Sequence, residues 1–300
     1  MTFWTIRSLL AALMVVATVG CAARGASSIA SPATATLAVA SSTRASSAAP
    51  TPAPRPTETR AVYGHEVLGE SWQGRPIVGH WFGNGAQKVV AVGNIHGGTE
   101  ENTHQLALEL IAYFESNVHQ VPSDVTLWII PTANPDGLAN DTRRNGRMVD
   151  LNRNADTDGD ACAVNDWASD THTSEGVLQG GGGPYPFSEV ETRLLRDFLD
   201  DAEVAIFYHS MAGKIYVTSC ADHPPSAELA LILSDATAYA FATEGWVAYP
   251  VTGAMVDYLA HRGVAAVEVE LTNKTDAEFE KNLAGLTAVM RSLAQIREAD

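Results

Sequence analysis

The stretch VVAVGNIHGGTEE, residues 89–101, is an apolar run that ends in His96, two glycines, Thr99 and the acids Glu100 and Glu101. A buried strand that stops in a Gly-rich turn displays its last side chains at the carboxyl edge of a sheet, where α/β proteins carry their chemistry. One imidazole and one carboxylate a few residues apart supply two ligands to a zinc ion, and a third must come from elsewhere. His209 is the candidate third, because it ends a second apolar run, Val204–Tyr208. A lone histidine after a strand is as readily a structural hydrogen bonder. Two strand-end histidines and an acidic turn together point to one zinc ion held by His96, Glu100 and His209, with Glu101 the alternative to Glu100.

The elements that must position these residues alternate. Val62–Ile77 reads as one or two short strands, Val89–Ile95 and Val125–Ile130 as buried strands, and Thr103–Phe114 as a helix with apolar residues at helical spacing. Residues 132–173 form a long polar loop, of a length that usually carries function. Gly180–Gly183 reads as a flexible hinge. Ser188–Glu191 and Thr275–Glu278 are spelled as capping boxes, opening helices to about Leu199 and Ala294. A helix over Glu228–Thr243 and a strand over Val264–Leu271 complete the pattern. The expected fold class is therefore α/β: a single domain over 62–300 with a mixed, mostly parallel twisted sheet and helices on both faces.

Residues 1–20 carry Arg7, an apolar stretch and small residues before Cys21, which is a secretory signal. Thr18–Cys21 resembles a bacterial lipobox, so Cys21 is the expected lipid anchor and the only membrane contact. The Ala/Ser/Thr/Pro-rich stretch 22–60 reads as a disordered tether. The chain is exported on this reading, in the cell envelope or secreted, and a monomer. Of 300 residues with net charge −16, those from Val62 onward contain 14 basic and 34 acidic, a net −20 that excludes nucleic acid as a partner. Arg143, Arg144, Arg147 and Arg153 crowd into eleven positions of that acidic chain, which implies a bound anion. Cys162 and Cys220, in an exported protein, are expected to form a disulfide. Asp156–Asp160 resembles a calcium loop but lacks the glycine at position 6 and the glutamate at 12. His209–Gly213 lacks the first glycine of a serine hydrolase's nucleophile elbow.

At these residues the chain resembles the zinc metallocarboxypeptidases related to carboxypeptidase A, and among them the bacterial murein-peptide and γ-D-glutamyl-diaminopimelate peptidases. His96 and Glu100 match the first zinc pair, Asn134–Gly137 a family loop, and Asp150–Asn154 the substrate-carboxylate motif with Arg143 upstream. His209-Ser210 matches the third ligand, Tyr249 with Gly253 a mobile tyrosine loop, and Glu270-Leu271 the catalytic glutamate. The resemblance implies a peptidase that hydrolyses the terminal amide of peptides with a free carboxylate, murein peptides among them. It implies that Glu270 is the general base, Arg143 the oxyanion donor and Asp150 the outer partner of His96. Asn152 and Arg153 would bind the terminal carboxylate, and Tyr249 would close over the substrate. Glu268, two residues before Glu270 on the same strand face, would line the pocket for the terminal side chain and receive an amino group. The two glutamates are exchangeable in role at this point. One departure stands out: the family spaces its first pair His-x-x-Glu, and here that position is Thr99. Other readings are a zinc deacylase of the succinylglutamate-desuccinylase type and a non-catalytic peptide-binding lipoprotein.

Overall fold

The computed structural model describes residues 62–173, 176–219, 223–243 and 249–299. The expected signal, Cys21, the tether and Cys220 lie outside them. Cys162 is disulfide-bonded. No helix of the described residues is long and apolar enough to cross a membrane.

The core is an eight-stranded sheet of β1 (Tyr63–Glu70), β2 (Pro76–Gly83), β3 (Gln87–Val92), β4 (Val125–Ile130), β7 (Val204–Ser210), β8 (Lys214–Tyr216), β9 (Ala240–Phe241) and β10 (Ala265–Leu271). The order is β1-β2-β4-β3-β7-β10-β8-β9. The central strands β4, β3, β7 and β10 run parallel, while β1, β2 and β8 join antiparallel, so the sheet is mixed as expected. A separate hairpin pairs β5 (Thr171–Thr173) with β6 (Gly176–Leu178).

Strand side chains alternate between two cores. Val89, Ala91, Val204, Ile206, Val267 and Val269 face one core, which is closed by α1 (Glu101–Ser116), α4 (Pro224–Thr237), α6 (Phe279–Arg291) and α7 (Leu293–Glu298). Val90, Val92, Ala205, Phe207 and Ala266 face the other, closed by α3 (Val190–Leu199), α5 (Met255–His261) and residues of the long loop. That second face decides the site. Counting on by twos from Phe207 reaches His209, and from Ala266 it reaches Glu268 and Glu270. All three emerge on one side, where β7 and β10 pair Glu270 with His209.

Several expectations are corrected. The first strands are longer than read, a full hairpin over Tyr63–Gly83. α4 stops at Thr237, because Ala238 turns left-handed and β9 follows. Neither capping box forms. Ser188 bonds Glu189 instead, and Glu189 and Glu191 are drawn inward to share the Asn145 amide at 2.8 and 3.2 Å. Thr275 bonds Asn273, and α6 begins only after Glu278. Gly180–Gly183 is no hinge: the Gly181 carbonyl holds the Asp150 N–H at 2.9 Å, and that of Gly182 takes Trp167 Nε1 and Asn154 Nδ2. This stretch braces the loop behind the site.

Candidate metal centre

His96 stands at the start of a tight helical turn, Gly97–Glu100, between β3 and α1. Gly97 takes φ +51°, and a Cβ there would fall 2.2 Å from the Thr142 carbonyl oxygen, so only glycine fits. The turn absorbs the extra residue of the His-x-x-x-Glu spacing. Thr99 turns away and donates to the His96 carbonyl, while Glu100 swings back under the imidazole. Glu101, by contrast, is exposed at the start of α1. Asn94 fastens the turn through the carbonyls of Gly97 and Glu100. Asn134 caps α2 (Pro135–Ala139) and reaches the carbonyls of Ile95 and Arg143, so the Asn-Pro-Asp-Gly loop supports both site segments.

Three donor groups converge. His96 Nδ1 lies 2.8 Å from Glu100 Oε1, His209 Nδ1 lies 3.3 Å from Glu100 Oε2, and the two Nδ1 atoms are 3.1 Å apart. All three residues are buried. A tetrahedral zinc with bonds of about 2.0–2.2 Å needs donors roughly 3.3–3.5 Å apart, so the observed set fits with small outward shifts. The remote nitrogen of His96 meets Asp150 Oδ1 at 3.3 Å, the outer carboxylate that orients a zinc-binding imidazole. Asp150 in turn binds Arg143 Nε at 2.8 Å, and Arg143 also reaches Glu100 and the His96 ring.

The charges point the same way. Burial raises the Glu100 carboxyl, but His96 and His209 hold it well below the usual range. Burial likewise opposes Asp150, which Arg143 and His96 hold down. Burial also disfavours charge on His209, yet Glu268, the hydrogen bond to Glu100 and the Glu100 and Glu270 charges push it up to about 9. A metal on His209 must therefore displace a proton. Zinc affinity is expected to weaken by about tenfold per pH unit below pH 9 from this group, as competition with a chelator at pH 6, 7 and 8 measures.

A cavity of about 320 Å³ opens beside this cluster, lined among others by Arg143, Arg153, Tyr216, Tyr249, Glu268 and Glu270. Arg153, 6% exposed, donates to the Asn152 carbonyl and makes no ion pair among the described residues. Asn152 bridges inward, its amide donating to Glu268 Oε1 at 2.7 Å and accepting from the Met255 N–H, which leaves Arg153 to meet an anion in the cavity. Gly253, at φ +64°, packs against the Arg153 carbonyl and ties the Tyr249 segment to this loop. Glu270 Oε2 has no hydrogen-bond partner among the described residues, and burial, with Glu100 and Glu268, pushes its carboxyl up to about 7 against His209. The arginine cluster divides: Arg143 and Arg153 line the cavity, while Arg147 lies over Trp72 and 3.8 Å from Glu189. The sequence reading missed Tyr216, whose place opposite Glu268 follows only from the β8–β10 register. It also missed the Ser210 N–H, which donates to Glu100 at 3.2 Å.

A family model described as zinc carboxypeptidase matches residues 63–287. A zinc carboxypeptidase of Simulium vittatum is 30% identical over 161 residues, 48% of this chain and 52% of that protein. The chain thus matches about half the length of that curated relative. Bovine thrombin-activatable fibrinolysis inhibitor, solved in complex with tick carboxypeptidase inhibitor, shares the fold with a TM-score of 0.62 at 19% identity, over 79% of this chain and 91% of that one. Murein-tripeptide amidase MpaA of Escherichia coli O157 shares it with a TM-score of 0.54 at 21% identity, over 76% and 92%.

Proposed function

The chain belongs to the zinc carboxypeptidase family, and from that premise we propose that it is an exported, zinc-dependent carboxypeptidase that removes the terminal residue of peptides with a free carboxylate. The observation that carries the reading is Arg153. A nearly buried guanidinium with no carboxylate within 4.0 Å among the described residues, opening on the cavity beside the His96–Glu100–His209 cluster, is costly unless an anionic group arrives to pair with it. The terminal carboxylate of a peptide supplies that group, matched by the planar fork.

With the carboxylate on Arg153, the last amide bond lies towards His96, Glu100 and His209. Zinc held by those three residues supplies Lewis acidity towards a carbonyl and a water. Glu270, whose buried Oε2 has no hydrogen-bond partner among the described residues, takes the proton from the attacking water and returns it to the leaving amine. Arg143, already oriented by Asp150, donates to the developing oxyanion. Tyr249 stands at the wall to cover the bound residue. Glu268 borders the same space, which suits a terminal residue bearing an ammonium group, as murein peptides provide. The signal and lipobox-like residues 1–21 support placement in the envelope, where such peptides are found.

Paired peptides differing only in a free or amidated terminus test the reading. The zinc-loaded protein is expected to cleave only the free form. Arg153→Gln is expected to raise KM roughly 10- to 100-fold for it, since a hydrogen bond to a charged group contributes about 1.5–3 kcal/mol. Equal cleavage of the amidated peptide would contradict the proposal.

A further inference from the structure

The two histidines of the cluster are not served alike. His96 turns Nδ1 to Glu100, and its Nε2 meets Arg143 Nη2 at 2.7 Å and Asp150 Oδ1 at 3.3 Å. His209 also turns Nδ1 to Glu100, but its Nε2 is buried and has no hydrogen-bond partner among the described residues. Once Nδ1 is given to a metal, Nε2 carries the proton, and a buried N–H without an acceptor is costly. Among the described residues, the carboxylate within 4.0 Å of it is Glu268, whose Oε1 stands 3.9 Å away. Glu268 occupies the same strand face as Glu270, which is paired with His209 in the sheet register. It is nearly buried and held by Asn152 Nδ2 at 2.7 Å. The Asn152 N–H is held in turn by Asp150 Oδ1 at 3.1 Å.

We propose that Glu268 is the positioning residue for His209: a shift of about 1 Å lets Oε1 accept the Nε2–H bond, the place that Asp150, 3.3 Å from Nε2, would take for a metal-bound His96. The two imidazoles are then held from behind by two carboxylates joined through Asn152, and the site closes as one unit. This rests on the zinc-site reading above and adds to it a carboxylate behind the His209 imidazole. It also separates the two glutamates of β10. Glu268 faces the histidine with Oε1, and Glu270 keeps a free oxygen for the substrate's side. The Oε2 atom of Glu268, with no hydrogen bond among the described residues, stays free to meet a ligand in the cavity.

Zinc dissociation constants from chelator competition, for the wild type, Glu268→Gln and Glu268→Ala, decide the matter. The visible spectra of the cobalt-substituted proteins provide a second readout. Glu268→Ala is expected to bind zinc 10- to 100-fold more weakly and to change the cobalt spectrum. Glu268→Gln, which keeps an acceptor oxygen without the charge, is expected to fall between, and it decides alone if the alanine variant does not fold. Affinities within twofold of wild type, with only the KM for cationic terminal residues raised, would overturn the proposal and leave Glu268 as a substrate contact. A wild type without zinc would overturn the metal site itself, a distinct failure.

Discussion

Glu270→Gln is expected to lower kcat on the order of 10²–10⁴-fold while zinc content stays at the wild-type level, since proton transfer by a placed carboxylate contributes about that much. The amide keeps the shape and a hydrogen-bonding oxygen but accepts no proton. The loss is expected on kcat, because the proposed reading gives substrate binding to Arg153 and not Glu270. The pH profile gives the sign independently. Burial, Glu100 and Glu268 push the Glu270 carboxyl up to about 7 in the metal-free protein. A dication nearby pulls it down again. A base works only when ionised, so the acid limb of kcat/KM lies below pH 7 in the zinc enzyme, and Glu270→Gln erases it. The variant is not expected to unfold. A carboxyl whose folded value is raised contributes most below its unfolded value and loses that contribution as pH rises through about 7. Above that, replacing the ionised group by an amide raises the Tm of the metal-free protein. A wild-type acid limb in Glu270→Gln, with kcat preserved, would assign the base elsewhere.

The other large effect is the loss of the metal. Among the described residues, Glu100 is the one carboxylate that touches both imidazoles, with Oε1 at 2.8 Å from His96 and Oε2 at 3.3 Å from His209. It is held by the Ser210 N–H and by Arg143 as well. Glu100→Gln removes the negative charge that offsets a dication and leaves an amide, a poor ligand for zinc. Activity is expected to fall to background, and excess zinc is not expected to restore it at neutral pH. Glu101→Gln, at an exposed position on the helix, is expected to leave both zinc and activity unchanged.

These residues were legible in the chain for a physical reason. Apolar runs that lead to His96, His209 and Glu270 announce strands whose carboxyl ends lie together in a parallel sheet, although β3 stops at Val92, short of the expected Ile95, and His96 stands in the turn beyond it. The two-residue period of a strand places Glu268 and Glu270 on one face from the sequence alone. The spacing anomaly at Thr99 was legible as well, because two glycines precede it and Gly97 adopts the left-handed turn that absorbs the extra residue. What failed was local chemistry overridden at long range. Ser188 and Thr275 sit where capping residues should, but Asn145 draws Glu189 and Glu191 inward, and Asn273 takes Thr275. Four glycines at 180–183 read as freedom and instead hold Asp150 and Asn154 by their carbonyls. Arg147 counted with the anion-binding arginines, yet its partners Trp72 and Glu189 are far away in sequence. Tyr216 carried no signal, since its role depends on which strand lies beside β10.

Metal content by mass spectrometry, on the purified wild-type protein and on Glu100→Gln, tests the central claim most directly. The account predicts about one zinc per chain in the wild type and its loss in the variant. A wild type without zinc would contradict the metallopeptidase mechanism, and zinc retained in Glu100→Gln would show that a different carboxylate completes the site.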